Sequence, residues 1–140
     1  MTNNLKVPHG TAAWFDMVGG VLIDAATRAE LPADHNISLV ERYTDGAVVS
    51  EEMVQGLRLD IIDGKPFFRS GVRHDERGDI TVDVTKAASY QLNTLHGDDP
   101  AFYNALADLQ ASGYFKMDGD LARLGTWFSA VHDRIVAQTS

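Results

Sequence analysis

The sequence predicts an α+β fold, an antiparallel sheet with helices on one face, and three observations predict it. Apolar residues recur at helical spacing near both ends of the chain. They alternate with polar ones through its middle, and the alternating runs are joined by turns too short for helical crossovers. At 140 residues the chain can bury roughly 68% of the surface it exposes unfolded, enough for one core. No repeat, low-complexity tract or linker divides it, so residues 1–140 read as a single domain.

Thr11 is a suitable N-cap, and after it Phe15, Val18, Leu22, Ala25, Ala26 and Ala29 keep helical spacing until Leu31-Pro32 stops it. Gly19-Gly20 costs that helix about 1 kcal/mol per glycine, so it either bends there or admits a close neighbour. From Asn36 the period becomes two, through Ile37 and Leu39 to Tyr43, and Thr44-Asp45-Gly46 turns the chain. Residues 47–55 read two ways, as an edge strand through Val48-Val49 or a helical turn starting at Ser50. Leu57, Leu59 and Ile61 alternate with Arg58 and Asp60 up to the Asp63-Gly64 turn, and Phe67-Phe68 opens a strand running to about Val72.

After a polar loop, Ile80, Val82 and Val84 alternate with Asp79, Thr81 and Asp83 and are expected to face the core. Thr85 caps a helix carrying Ala88, Leu92 and Leu95 up to His96-Gly97. Asp99-Pro100 starts another, with Phe102, Ala105, Leu106 and Leu109 on one side, closed by Ser112-Gly113. Tyr114 to Asp118 reads as the last strand. Beyond Gly119-Asp120, residues Leu121, Leu124, Phe128, Val131 and Ile135 fall within an arc of about 80°, predicting one amphipathic helix whose apolar face Trp127 widens.

Composition excludes several function classes. Twelve basic residues against twenty acidic ones leave a net charge of −8 with the bases scattered. Nucleic acid and anionic membrane are therefore not expected as partners. The N-terminal residues lack an apolar core of signal-peptide length, and no apolar run approaches the ~20 residues that span a bilayer. Stable membrane insertion is not expected. With no cysteine, thiolate chemistry is excluded and a cytoplasmic location is expected. No cofactor is expected either, because phosphate-cradling loops and dinucleotide fingerprints are missing. The five histidines form no metal-ligand spacing. Asp118-Gly119-Asp120 reads as turn and cap, since Leu121, Ala122 and Leu124 cannot complete a calcium loop.

The run GDITVDVTKAASYQL, followed by ASGYFKMDGDLARL, resembles the sterol carrier protein 2-like family. The shared pattern is an alternating strand, two short helices, and a small-Gly-apolar-Lys-apolar-x-Gly-Asp strand leading into a final apolar helix. Here Ser112-Gly113, Phe115, Lys116, Met117, Gly119-Asp120, Leu121 and Leu124 fill those positions. The resemblance covers residues 79–136 and reaches the first half through element order alone. There the connection at 44–55 and the aromatic start at Trp14-Phe15 depart from the family. It implies a five-stranded, mostly antiparallel sheet covered by helices, with a tunnel holding fatty acyl chains, acyl-CoA or sterol-like ligands.

The candidate ligand-binding residues are Phe102, Tyr103, Leu106, Phe115, Met117, Leu121, Leu124, Trp127 and Phe128. Aromatics and Met suit an adaptable apolar pocket, although helical apolar stripes also exist simply to pack a core. Tyr103 and Trp127 carry polar atoms that, if buried, would orient a ligand's polar end, and both lie at stripe edges, where an ordinary partly exposed aromatic also sits. The expected function is noncatalytic binding or transfer of an apolar small molecule or lipid, with no catalytic residue in the pattern. One alternative is a small cofactor-free isomerase or cyclase using Asp16, set between Trp14-Phe15 and Met17-Val18, or His132 as proton carrier. Another is an interaction module that forms a homodimer through the stripe of the last helix.

Overall fold

The computed structural model describes residues 6–140. Helix α1 (Ala12–Arg28) starts where Thr11 accepts a hydrogen bond from the Trp14 N–H, and it buries Trp14, Phe15, Val18, Val21, Leu22 and Ala26. Six strands follow the predicted order: β1 (Ile37–Tyr43), β2 (Val48–Ser50), β3 (Met53–Ile62), β4 (Lys65–Arg73), β5 (Ile80–Val84) and β6 (Phe115–Asp118). Helices α2 (Lys86–Leu92) and α3 (Pro100–Ser112) lie between β5 and β6, and α4 (Val131–Ala137) is near the end.

The fold is α+β, with six strands where the resemblance implies five. The extra one is β2, formed by the stretch that reads ambiguously in the sequence. Met53 and Val54 pair with β4 and also with β2, so β2 continues the β1 edge of β3. Among the described strands all pairings are antiparallel except β1 with β5. The β3–β4 hairpin turns through Asp63 and Gly64, both at positive φ, as a two-residue loop of this type requires.

Register decides what the inner face presents. Leu39 lies opposite Leu59 on one side and Ile80 on the other. One step along, Glu41 lies between Leu57 and Val82, and then Tyr43 pairs with Val84, which pairs with Phe115. Ile80, Val82 and Val84 are buried as expected. Each fully buried side chain of this kind contributes about 2 kcal/mol. Thr81 is buried as well, on the outer face. There Arg42 donates to the carbonyls of His74 and Glu76, and Arg58 pairs with Glu76, drawing the loop after β4 across the sheet. The Gly78 N–H then donates to Thr81 Oγ1 at 3.1 Å.

The continuous last helix is not what forms. Two 3₁₀ turns, Leu121–Leu124 and Thr126–Ala130, precede α4, separated by Gly125 at φ 123°, ψ 167°. An α-helix would use the Leu124 carbonyl to receive the Phe128 N–H. Instead Trp127 Nε1 and His35 Nε2 donate to it at 2.8 and 3.1 Å, and Phe128 N bonds to the Gly125 oxygen. α2 likewise ends at Leu92, leaving Leu95 outside it. The C-terminal stripe packs inward: Leu124, Val131 and Ile135 are buried in the chain's own core, so they are not available as a dimer face. Among the described residues, no helix is long and apolar enough to cross a membrane.

Candidate functional site

Between the inner face of the sheet and its helical cover lies a cavity of about 310 Å³. The sheet supplies Leu39 and Glu41 from β1, Val82 and Val84 from β5, and Phe115 from β6. α2 follows β5 directly, its first turn held where Thr85 Oγ1 accepts from the Ala88 N–H, and it turns Ser89, Leu92 and Asn93 toward the space. α3 begins with Asp99 accepting from Ala101 N and Pro100 in the first turn, and it contributes Phe102 and Leu106. Leu121, Phe128, Ser129 and His132 complete the lining.

Nine of these fourteen side chains are aliphatic or aromatic, the mixture expected of a site that holds an apolar molecule and orients it with a few polar groups. Glu41 stands out among the five polar ones. Its side chain is half-buried, and the cavity takes the place of bulk water around it. Burial raises its pKa from 4.5 to about 7, because the charged form loses hydration that no neighbour replaces. Among the described residues every fully sealed side-chain polar atom has a hydrogen-bond partner. The Glu41 carboxyl, which has no hydrogen-bond partner among the described residues, therefore keeps contact with the open space.

Behind Ser89 sits a buried polar cluster. Tyr43 Oη is 2.7 Å from Ser89 Oγ and 3.1 Å from His9 Nε2, and His9 Nε2 is 3.0 Å from Ser89 Oγ. Asn93 Nδ2 donates to the same Oγ at 3.2 Å. A serine beside a histidine suggests a nucleophile and its base. When Tyr43 and Asn93 donate to Ser89 and Ser89 donates to His9, however, both lone pairs and the hydrogen of that hydroxyl are engaged. The cluster thus anchors the N-terminal segment to α2. Burial lowers the pKa of His9 to about 4 and raises that of Tyr43, so both are neutral near pH 7. His132 Nε2 is 2.7 Å from the Leu95 carbonyl, which can only accept, so Nε2 carries the hydrogen.

Of the nine residues proposed from the sequence, Phe102, Leu106, Phe115, Leu121 and Phe128 line this space. The other four lie outside it. Tyr103 is 63% exposed, one step around α3 from Phe102. Met117 shares a strand face with Phe115 but stands on the edge strand, 40% exposed. Leu124 is sealed in the core, and Trp127 packs against that core with its Nε1 on the Leu124 carbonyl. Neither polar tip named for Tyr103 and Trp127 reaches the cavity. Asp16 is exposed on α1, beside an open depression with Gly19, Gly20 and Phe68. Sequence reasoning missed the floor residues Leu39, Val82 and Val84, the polar group Ser89 and Asn93, and Glu41. Glu41 did carry a signal: it is in phase with Ile37, Leu39 and Tyr43.

The crystal structure of a sterol carrier protein 2 is similar to this one with a TM-score of 0.52, at 12% identity over 90% of this chain and 95% of that chain. This chain has the sterol carrier protein 2 fold. Two further structures are similar at lower scores. Sterol carrier protein 2 from Yarrowia lipolytica, in its apo form, has a TM-score of 0.44 and 16% identity over 96% of this chain and 97% of that one. The ubiquinone synthesis protein UbiJ-SCP2 has 0.46 and 17%, over 89% of each chain. No protein-family model matches the sequence, and no curated protein does.

Proposed function

We propose that the chain is a single domain that binds an apolar small molecule or lipid, noncatalytically, in the cavity between β1, β5, β6 and the helical cover. The observation that carries this reading is the lining: nine apolar side chains drawn from strands, helices and the C-terminal turns converge on one space. A volume of about 310 Å³ is at the low end for ligand sites, which run from about 300 to 1,000 Å³. With a water's share of liquid at about 30 Å³, it encloses on the order of ten non-hydrogen atoms. A longer chain or a ring system would leave part of itself outside. The sterol carrier named for the solved structure of the same fold supports the same class of ligand.

Titration with the fluorescent apolar probe N-phenylnaphthylamine tests the proposal. Saturable binding of one probe per chain is expected. Leu106→Trp, which fills the cavity from α3, is expected to weaken it by at least about tenfold while the thermal midpoint stays within a few degrees. Equal binding by both proteins would place the probe elsewhere, and no saturable binding by either would remove the proposal.

A further inference from the structure

We propose that Glu41 sets the ligand class, so that the cavity takes an apolar molecule ending in a primary amine in preference to an alcohol or a carboxylate. This rests on the apolar-ligand reading above. The register places Glu41 in the middle of the inner sheet face, between Leu57 and Val82, with Leu39, Val84 and Phe115 around it in the cavity floor. A carboxyl at such a position costs stability unless it is paired. Among the described residues, the other inner-face ionisable groups do not supply the partner. Tyr43, two residues along the same face, is held by Ser89 and His9, and His132, from the opposite wall, gives its Nε2–H to the Leu95 carbonyl. The basic side chains Arg42 and Arg58 are on the outer face, paired with Asp83, Asp60 and Glu76.

With no cation paired to it among the described residues, this carboxyl has a place for one brought by the ligand. An alkylammonium group supplies both a countercharge and hydrogen-bond donors, and charge-assisted bonds are roughly twice as strong as neutral ones. A hydroxyl supplies a donor without the charge. A carboxylate brings a like charge against Glu41, so one of the two must take up a proton before both fit. The net charge of −8 acts in the same direction, attracting cations and repelling anions. Asn93 and Ser129, also in the lining, give the remaining ammonium hydrogens acceptors.

The probes are n-decylamine, n-decanol and n-decanoate, which share one chain and differ in the polar end. Each is measured at pH 8 by displacement of N-phenylnaphthylamine and by calorimetry. For the wild type, the amine is expected to bind at least about tenfold tighter than the alcohol, with the carboxylate weakest. Glu41→Gln keeps the shape and removes the charge. It is expected to bring amine and alcohol within about threefold and to strengthen decanoate. Its thermal midpoint, together with retained binding of N-phenylnaphthylamine, shows that it is folded. Asp16→Asn, which removes a carboxylate exposed on α1 outside the cavity, is expected to leave the amine preference in place. Equal binding of all three probes by the wild type, or an amine preference that survives Glu41→Gln, would overturn the assignment of Glu41 and leave the apolar-ligand reading standing. If none of the four compounds binds, the apolar-ligand reading falls first.

Discussion

Trp14 Nε1 donates to Thr139 Oγ1 at 2.9 Å, a buried bond that ties α1 to the chain's last residues 125 positions away. Thr139 passes its own hydrogen to the Ile135 carbonyl at 2.7 Å, and Val7 bridges to Thr139 beside it. Thr139→Val preserves the shape but leaves the indole N–H without an acceptor. Destabilisation of about 1–3 kcal/mol is expected in urea denaturation, the cost of a buried unsatisfied donor. In the Trp14→Phe background the same substitution is expected to cost clearly less, and additivity of the two changes would show that the bond contributes nothing.

Gly19 and Gly20 are adjacent in α1 and should respond oppositely to alanine. A Cβ at Gly19 would run into the ring of Phe68 on β4, whereas one at Gly20 meets nothing within 4 Å. Gly20→Ala is expected to stabilise by about 0.5–1 kcal/mol, through the lower entropy of the unfolded chain. Gly19→Ala is expected to destabilise by about 1–3 kcal/mol, because the ring must shift within a packed layer. Thermal melts of the pair check this, and a stabilising Gly19→Ala would mean that Phe68 does not sit where it is placed.

Glu41 and His9 pull the pH dependence of stability in opposite directions. Burial raises Glu41 from 4.5 to about 7, so between those values the folded chain holds a proton that the unfolded chain has lost. Its contribution therefore falls as pH rises. Burial lowers His9 from 6.5 to about 4, so there the unfolded chain holds the extra proton and stability rises with pH. Glu41→Gln removes the first effect and keeps the second. Measured by urea denaturation from pH 4.5 to 8, the variant's advantage over the wild type is expected to grow up to about pH 7 and then level off, at on the order of 3 kcal/mol. The acid-side contributions of Glu76 and Asp133, whose pKa values are lowered, are common to both proteins and cancel. A difference independent of pH would put the Glu41 carboxyl in water.

The parts of the fold that sequence analysis reached are those set by local chemistry. Thr11, Thr85 and Asp99 cap helices because each side chain accepts an N–H two or three residues on. Alternation placed Ile80, Val82 and Val84 inward because the pleat has period two. The C-terminal break was out of reach because spacings of three and four suit consecutive 3₁₀ turns as well as an α-helix. What decides it is the capture of the Leu124 carbonyl, in part by His35 from 89 residues away. The cavity was half legible. Phe102, Leu106 and Phe115 were found through their bulk, but Leu39, Val82 and Val84 are the residues a closed core would also use. Tyr103 and Met117 were included for side-chain type, and only helix rotation and edge position place them outside.

Phe102 and Tyr103 are neighbours of similar size, and only Phe102 lines the cavity. Its ring centroid lies 4.7 Å from that of His132, another lining residue, while Tyr103 meets Phe102 edge-on from the solvent side. Phe102→Ala removes part of the wall, so it is expected to lower N-phenylnaphthylamine affinity by about three- to tenfold. It should also destabilise by about 1–3 kcal/mol, less than a fully buried aromatic because Phe102 keeps some exposure. Tyr103→Ala is expected to change affinity by less than about twofold and stability by less than about 0.5 kcal/mol. Fluorescence titration and thermal melts of the two variants read both quantities. An affinity loss in Tyr103→Ala matching that of Phe102→Ala would move the site to the outer surface of α3.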